Sequence, residues 1–171
     1  MELLYELQDD QYPFEYIDHT RICARGVVLD EHNRVALSKL LFTDIFGKRD
    51  YFELPGGGQQ LGETIETCFY REMEEELGYQ TELLTPIGEV SDYYNLIHRH
   101  NRNFYFLARR KDFVGQRLEP KELVWIERII WVPLDEAIAL YEAMDDHLIS
   151  GLVKSRELPI LKLARSMVNG Y

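Results

Sequence analysis

Apolar positions along this chain follow two different periods. Through most of its length they alternate with polar ones or form short Ile-, Val- and aromatic-rich runs, the pattern of β-strands. Residues 21–29 and 34–41 are such runs, and the Asp30-Glu-His-Asn33 segment between them predicts a hairpin. Residues 43–50 read as a loop around Gly47, and 51–54 as a short strand entering Pro55 and three glycines. Residues 81–94 predict one or two strands, with Pro86 and Gly88 marking a bend or bulge. Residues 103–109 and 124–132 predict two more. The period changes at Ile65, Cys68, Phe69 and Met73, which share one side of a helix predicted from about Ile65 to Leu77. Thr64 suits its N-cap and Gly78 its stop. Leu134, Ile138, Tyr141 and Met144 mark a helix over 134–144. Pro159 divides the remainder into two short helices, 148–154 and 160–168. The acidic, aromatic first twenty residues read as an N-terminal extension, either an edge strand or a lid. Strands interrupted by a helix and followed by helices predict an α/β chain with a mixed sheet packed between helices.

The helix that starts at Ile65 carries an anomaly. Glu72, Glu75 and Glu76 lie at i, i+3 and i+4, one above another. At ~100° per residue, Glu72 and Glu76 fall inside the apolar stripe and Glu75 at its edge. Inward carboxylates must be paired, protonated or bound to a metal. Three such groups at this spacing suit a hard divalent cation, Mg²⁺ or Mn²⁺. A solvated acidic face is the competing reading of the spacing by itself.

Composition changes the picture in two respects. The formal net charge of −11 argues against a surface that grips a nucleic acid polymer by its backbone. It leaves room for a small phosphorylated substrate, because bound cations invert the local charge. Cys23 and Cys68 have no metal-binding spacing and indicate no disulfide framework, which fits a cytoplasmic protein. The length predicts a single domain over 1–171, with 145–171 a C-terminal helical segment. No apolar run predicts a membrane span.

Residues 57–79 resemble the Nudix box: Gly57, Glu63, Arg71, Glu72, Met73, Glu75, Glu76 and Gly78 match its fixed positions. Tyr79 departs from the aliphatic that the family prefers there, a matter of packing. The lead-in Phe52-Glu-Leu-Pro-Gly-Gly-Gly58 and the segment Trp131-Val-Pro-Leu-Asp-Glu-Ala137 are also similar to the family. The resemblance implies an α/β/α sandwich with a central mixed sheet and metal-dependent hydrolysis of a phosphoanhydride. It implies that Glu72, Glu75 and Glu76 hold Mg²⁺ or Mn²⁺, with a backbone carbonyl of Gly56 or Gly57 as a further ligand. Glu63 and Arg71 would pair to fix the loop against the helix. Many members take an additional acid from a distant segment. Glu127, four residues before Trp131, ranks first here, followed by Glu122 and Glu119. Dimers are common in the family, so a homodimer is among the expectations.

Substrate recognition is expected first in residues 91–102, which gather Tyr94, His98 and Arg99 in an otherwise acidic chain. Rings can stack on a base, and guanidinium groups can hold phosphate bidentately. A plain hairpin turn is the competing reading. Arg21 and Arg25, alternating on one strand, are further candidates. The substrate class stays open among nucleoside triphosphates, nucleotide sugars and dinucleotides. A nucleotide-sensing domain that binds without turnover is the alternative function. Isomerisation of a prenyl diphosphate would need a catalytic cysteine, and neither cysteine has an evident partner.

Overall fold

A strand buried on both faces must place apolar residues on successive positions, and the centre of this chain does so. In the computed structural model, which describes residues 1–168, Tyr105 and Leu107 point to one side of the sheet and Phe106 and Ala108 to the other. These four belong to β7 (Arg99–Phe113). The other strands are β1 (Leu3–Leu7), β2 (His19–Leu29), β3 (Arg34–Asp44), β4 (Gly47–Glu53), β5 (Gly56–Gly58), β6 (Tyr79–Tyr94) and β8 (Ile126–Pro133). The helices are α1 (Ile65–Glu72), α2 (Pro120–Trp125), α3 (Leu134–Glu142) and α4 (Leu148–Val168). The sheet runs β1-β6-β7-β2-β3-β4, with β5 added to β2 and β8 to β3. β1 joins β6 and β2 joins β7 in parallel, while β6 and β7 pair antiparallel, so the sheet is mixed. α1 and the helical turn that continues it, Met73–Leu77, cover one face through Cys68, Phe69 and Met73. α3 and α4 cover the other through Ala137, Ile138, Tyr141, Ile160, Leu161 and Ala164. This is the expected α/β/α sandwich.

The β2–β3 hairpin does not stay paired. The two strands meet at Leu29 and Val35 and then diverge, β2 taking β5 and β7 as partners and β3 taking β4 and β8. The gap between them becomes the site.

Several local expectations change. The loop predicted over 43–50 is a hairpin instead, because β3 continues to Asp44 and β4 starts at Gly47. Burial of Phe46 and a 2.8 Å ion pair between Arg49 and Asp44 hold that turn. The strand predicted from Val124 starts at Ile126, and the residues before it form α2. The two short C-terminal helices are one, since α4 runs through Pro159. Pro159 removes one helical hydrogen bond, but Arg156, Glu157, Ile160 and Leu161 are all fully buried around it, and packing overrides local propensity. Residues 3–7 of the N-terminal extension form an edge strand. Residues 81–94 lie in one strand whose register shifts between Leu83 and Thr85 and between Pro86 and Gly88, the bulge the sequence marks. Residues 169–171 of the C-terminal segment lie outside the described residues. Among the described residues no helix is long and apolar enough to cross a membrane.

Candidate active site

Thr64 caps α1, its hydroxyl accepting from the Thr67 N–H at 3.1 Å. The helix passes into one wide π-helical turn over Met73–Leu77, which stops at Gly78 with φ 77°. Such turns are rare in helices and concentrate at functional sites. The pair predicted to face inward is buried: Glu72 is 5% exposed and Glu76 4%. Glu75, predicted at the edge, is partly exposed.

Arg71 organises these acids. It donates to both carboxylate oxygens of Glu63, at 2.6 and 3.0 Å, and to the Gly58 carbonyl at 3.0 Å. Its remaining terminal nitrogen, Nη1, bridges Glu72 at 2.7 Å and Glu75 at 2.9 Å. Hydrogen bonding from Arg71 holds the Glu63 carboxyl down to about 2. Burial raises the Glu72 carboxyl above its usual range, with Arg71 opposing. Among the described residues no arginine pairs with Glu76, and the nearby Arg25 charge opposes its burial only weakly. It accepts from Ser38 Oγ and from the Gly56 N–H at 2.8 Å, and burial pushes it up to about 8.

The donor chemistry fits a hard divalent cation: carboxylates from one helical face beside the backbone of a glycine turn. A Cβ on Gly57 would lie 2.4 Å from the Glu72 carboxylate, so only glycine lets that carboxylate lie against the turn. Among the described residues no three acidic, histidine or cysteine side chains converge on a point. Arg71 occupies the space between Glu72 and Glu75, and Glu76 turns toward Ser38. Gly57→Ala is therefore expected to displace Glu72 and lower turnover by more than its effect on the melting temperature implies. Paired kcat and thermal unfolding measurements check this; a loss of stability with full activity contradicts it.

A cavity of about 600 Å³ opens between the diverging strands, within the range of small-molecule sites. Glu72, Glu76, Ser38 and Gly56–Gly58 line one part of it. Arg21, Cys23 and Arg25 from β2, and Arg99, Asn101 and Asn103 from β7, line another. Leu40, Phe42, Ile45, Phe46 and Trp125 form an apolar wall, with Phe42 and Trp125 stacked at 5.1 Å.

The sequence candidates divide around this cavity. Arg25 lines it, but its donors go to Glu53 at 2.9 Å, the Leu54 carbonyl at 3.0 Å and Asn103 at 3.3 Å. Tyr94 lines it with its ring, and its hydroxyl accepts from Arg156 at 2.7 Å. Arg99 lines it without such a partner. His98 is absent from the lining and stacks on Tyr16, ring centroids 4.1 Å apart. Glu127 also lies elsewhere, in a shallow depression with Tyr79 and Trp131, beside Arg128 at 3.5 Å. Glu119 and Glu122, ranked below it, line the main cavity. The reason is α2, which turns the chain so that residue 127 alternates away from the cleft. Glu122 caps the start of α2, its carboxylate accepting from the Glu119 N–H at 2.8 Å, with Pro120 at the first turn. That Glu-Pro-x-Glu pattern is a helix-start signal that a strand reading overlooks.

The sequence reading also missed Arg156 and Glu157. Both are fully buried on α4, about a hundred residues from the Glu53 and Leu54 they hold.

A mixed sheet between helices, with a glycine turn feeding an acid-bearing helix, defines an α/β/α sandwich with one acid-lined cleft. The chain belongs to the Nudix family: the family model described as "NUDIX domain" matches residues 19–150. It is 31% identical over 85 residues to the "8-oxo-dGTP diphosphatase" of Proteus vulgaris, covering 50% of this chain and 72% of that protein. The fold is similar to a NUDIX hydrolase from Nitrosomonas europaea, with TM-score 0.63, 18% identity, and coverage of 88% of this chain and 90% of the other. It is also similar to a MutT protein from Methanosarcina mazei Go1, with TM-score 0.62, 15% identity, and coverage of 90% and 98%.

Proposed function

We propose that this protein hydrolyses a phosphoanhydride bond in a nucleoside diphosphate derivative, with Mg²⁺ or Mn²⁺ held by Glu72, Glu75 and Glu76 and a backbone carbonyl at Gly56 or Gly57. The single observation that carries this reading is the buried pair Glu72 and Glu76 lying against a glycine turn at the floor of a nucleotide-sized cavity. Family membership supports hydrolase activity, and the name of the Proteus vulgaris relative belongs to the same reaction class.

A bound divalent cation supplies charge neutralisation on the diphosphate and eases ionisation of the attacking water. The chain's own residues do the positioning. Arg71 and Glu63 clamp the turn to the helix, so the backbone that carries the acids is set before substrate arrives. The Gly56 N–H orients Glu76. Glu122 lines the cavity and lies close enough to Glu72 to raise its proton affinity, so we place the general base there ahead of Glu127. The apolar wall with Phe42 and Trp125 gives a base or other flat group a surface free of water.

The test is a panel of nucleoside triphosphates, nucleotide sugars and dinucleotides incubated with Mg²⁺ or Mn²⁺, with the products identified. Release of a nucleoside monophosphate or of pyrophosphate, abolished by chelator, is expected. Tight binding without products replaces hydrolysis by sensing.

A further inference from the structure

The cavity wall contributed by β2 and β7 holds cations that the fold does not use. β2 and β7 run parallel in register, with His19 opposite Arg99 and Arg21 opposite Asn101. Arg21, Arg99 and Asn101 therefore fall within one two-residue step on the same sheet face. Further along that face, Arg25 and Arg156 are paired with Glu53 at 2.9 and 2.7 Å. Neither Arg21 nor Arg99 has a carboxylate within 4.0 Å among the described residues, in a chain whose net charge is −11.

Two buried donors in this wall are left unsatisfied. Asn101 is 2% exposed, and its Nδ2 has no acceptor; Arg99 Nε is buried and also has none. A buried donor without a partner costs about 1–3 kcal/mol, so two in one wall call for an explanation. Burial, and then the Arg21 charge, loosen the proton of Arg99 relative to an ordinary arginine. An arginine nevertheless stays charged in a protein, so two cations sit side by side in one wall of the cavity. Their orientation is fixed. The Arg99 guanidinium lies over the Tyr94 ring, 5.1 Å from its centroid. Arg21 Nε lies 3.1 Å from where a Cβ on Gly58 would be, which puts its guanidinium directly over the last glycine of the turn.

We propose that Arg21, Arg99 and Asn101 form an anion subsite for a phosphoryl group additional to the diphosphate held at the glutamates. This rests on the diphosphate-hydrolase reading and deepens it: the substrate class is a nucleoside triphosphate, not a nucleotide sugar. Guanidinium forks match phosphate oxygens geometrically, and the Asn101 amide supplies a third donor. A sugar hydroxyl in the same place would leave both charges uncompensated.

The experiment compares wild type with Arg21→Gln and Arg99→Gln. KM and kcat are measured with Mg²⁺ on a nucleoside triphosphate and on the matching nucleotide sugar. The Kd of the α,β-methylene nucleoside triphosphate is measured by calorimetry, and thermal unfolding confirms that each variant is folded. Removing one guanidinium–phosphate pair is expected to raise KM and the analogue's Kd roughly 10- to 100-fold. The KM penalty on the nucleotide sugar should be smaller by about a factor of ten or more. Equal penalties on both substrates, or an unmoved analogue Kd in the folded Arg21 variant, overturn the subsite while hydrolysis stands. If wild type turns over neither substrate, the hydrolase reading fails by itself, and the analogue's Kd still decides the subsite.

Discussion

Replacing Glu76 with Gln is expected to lower kcat on the order of 10²- to 10⁴-fold and to leave the metal-free fold intact. The two halves of this expectation share one cause. Glu76 is buried beside Ser38 and the Gly56 N–H with no ion pair among the described residues, and burial pushes its carboxyl up to about 8. At neutral pH without metal it holds a proton. Glutamine has the same shape and no charge, so it mimics that resting state, its oxygen accepting from Gly56 and its amide donating to Ser38 Oγ. The carboxylate is needed only when a cation is present, and there glutamine fails.

The sign of the pH dependence follows. Between the ordinary carboxylate value of 4.5 and about 8, the folded chain keeps this proton and the unfolded chain has lost it. Stability from this group is therefore full below 4.5 and declines as pH rises toward 8. Thermal unfolding in chelator should show that decline in wild type and a flatter profile in Glu76→Gln. Glu75→Gln is the companion variant, because Glu75 meets Arg71 at the edge of the site. Full activity in both would remove the glutamates from the chemistry.

The box helix was legible because its chemistry is local. Three acids at i, i+3 and i+4 share a face whatever the rest of the chain does, and the burial of Glu72 and Glu76 follows from the wheel. The cavity was not legible, because it arises from strand divergence. No residue pattern in 21–41 shows that β2 and β3 part after Leu29 and Val35. Glu127 shows the limit most plainly. Spacing to Trp131 suggested it, but strand alternation decides which side chain enters a cleft, and the unpredicted α2 set that alternation one way. Arg25 and Tyr94 were found as cavity residues, yet the sequence could not show that Glu53 and Arg156 already engage them. Those partners come from segments far apart in the chain.

Arg156→Met carries the second large expectation, a loss of about 3–5 kcal/mol of stability. Arg156 is 1% exposed and donates to Glu53 at 2.7 Å, Glu157 at 3.0 Å and Tyr94 at 2.7 Å. Methionine fills much of the volume but leaves Arg25 as the one guanidinium shared by two carboxylates, Glu53 at 2.9 Å and the buried Glu157 at 3.8 Å. For a domain of this length the melting temperature should fall by about 6–20 °C. Adding Glu157→Gln to Arg156→Met leaves one carboxylate against Arg25 instead of two, and partial recovery is expected. Recovery separates charge imbalance from poor packing, since the double variant keeps the methionine. Activity should fall more than stability does. Glu157 accepts from the Leu54 N–H at 2.8 Å, two residues before the glycine turn begins, so α4 holds the entry to that turn through this carboxylate. A single Arg156→Met variant that melts within about 2 °C of wild type, less than one kcal/mol for this chain length, shows that the buried network contributes little to the fold.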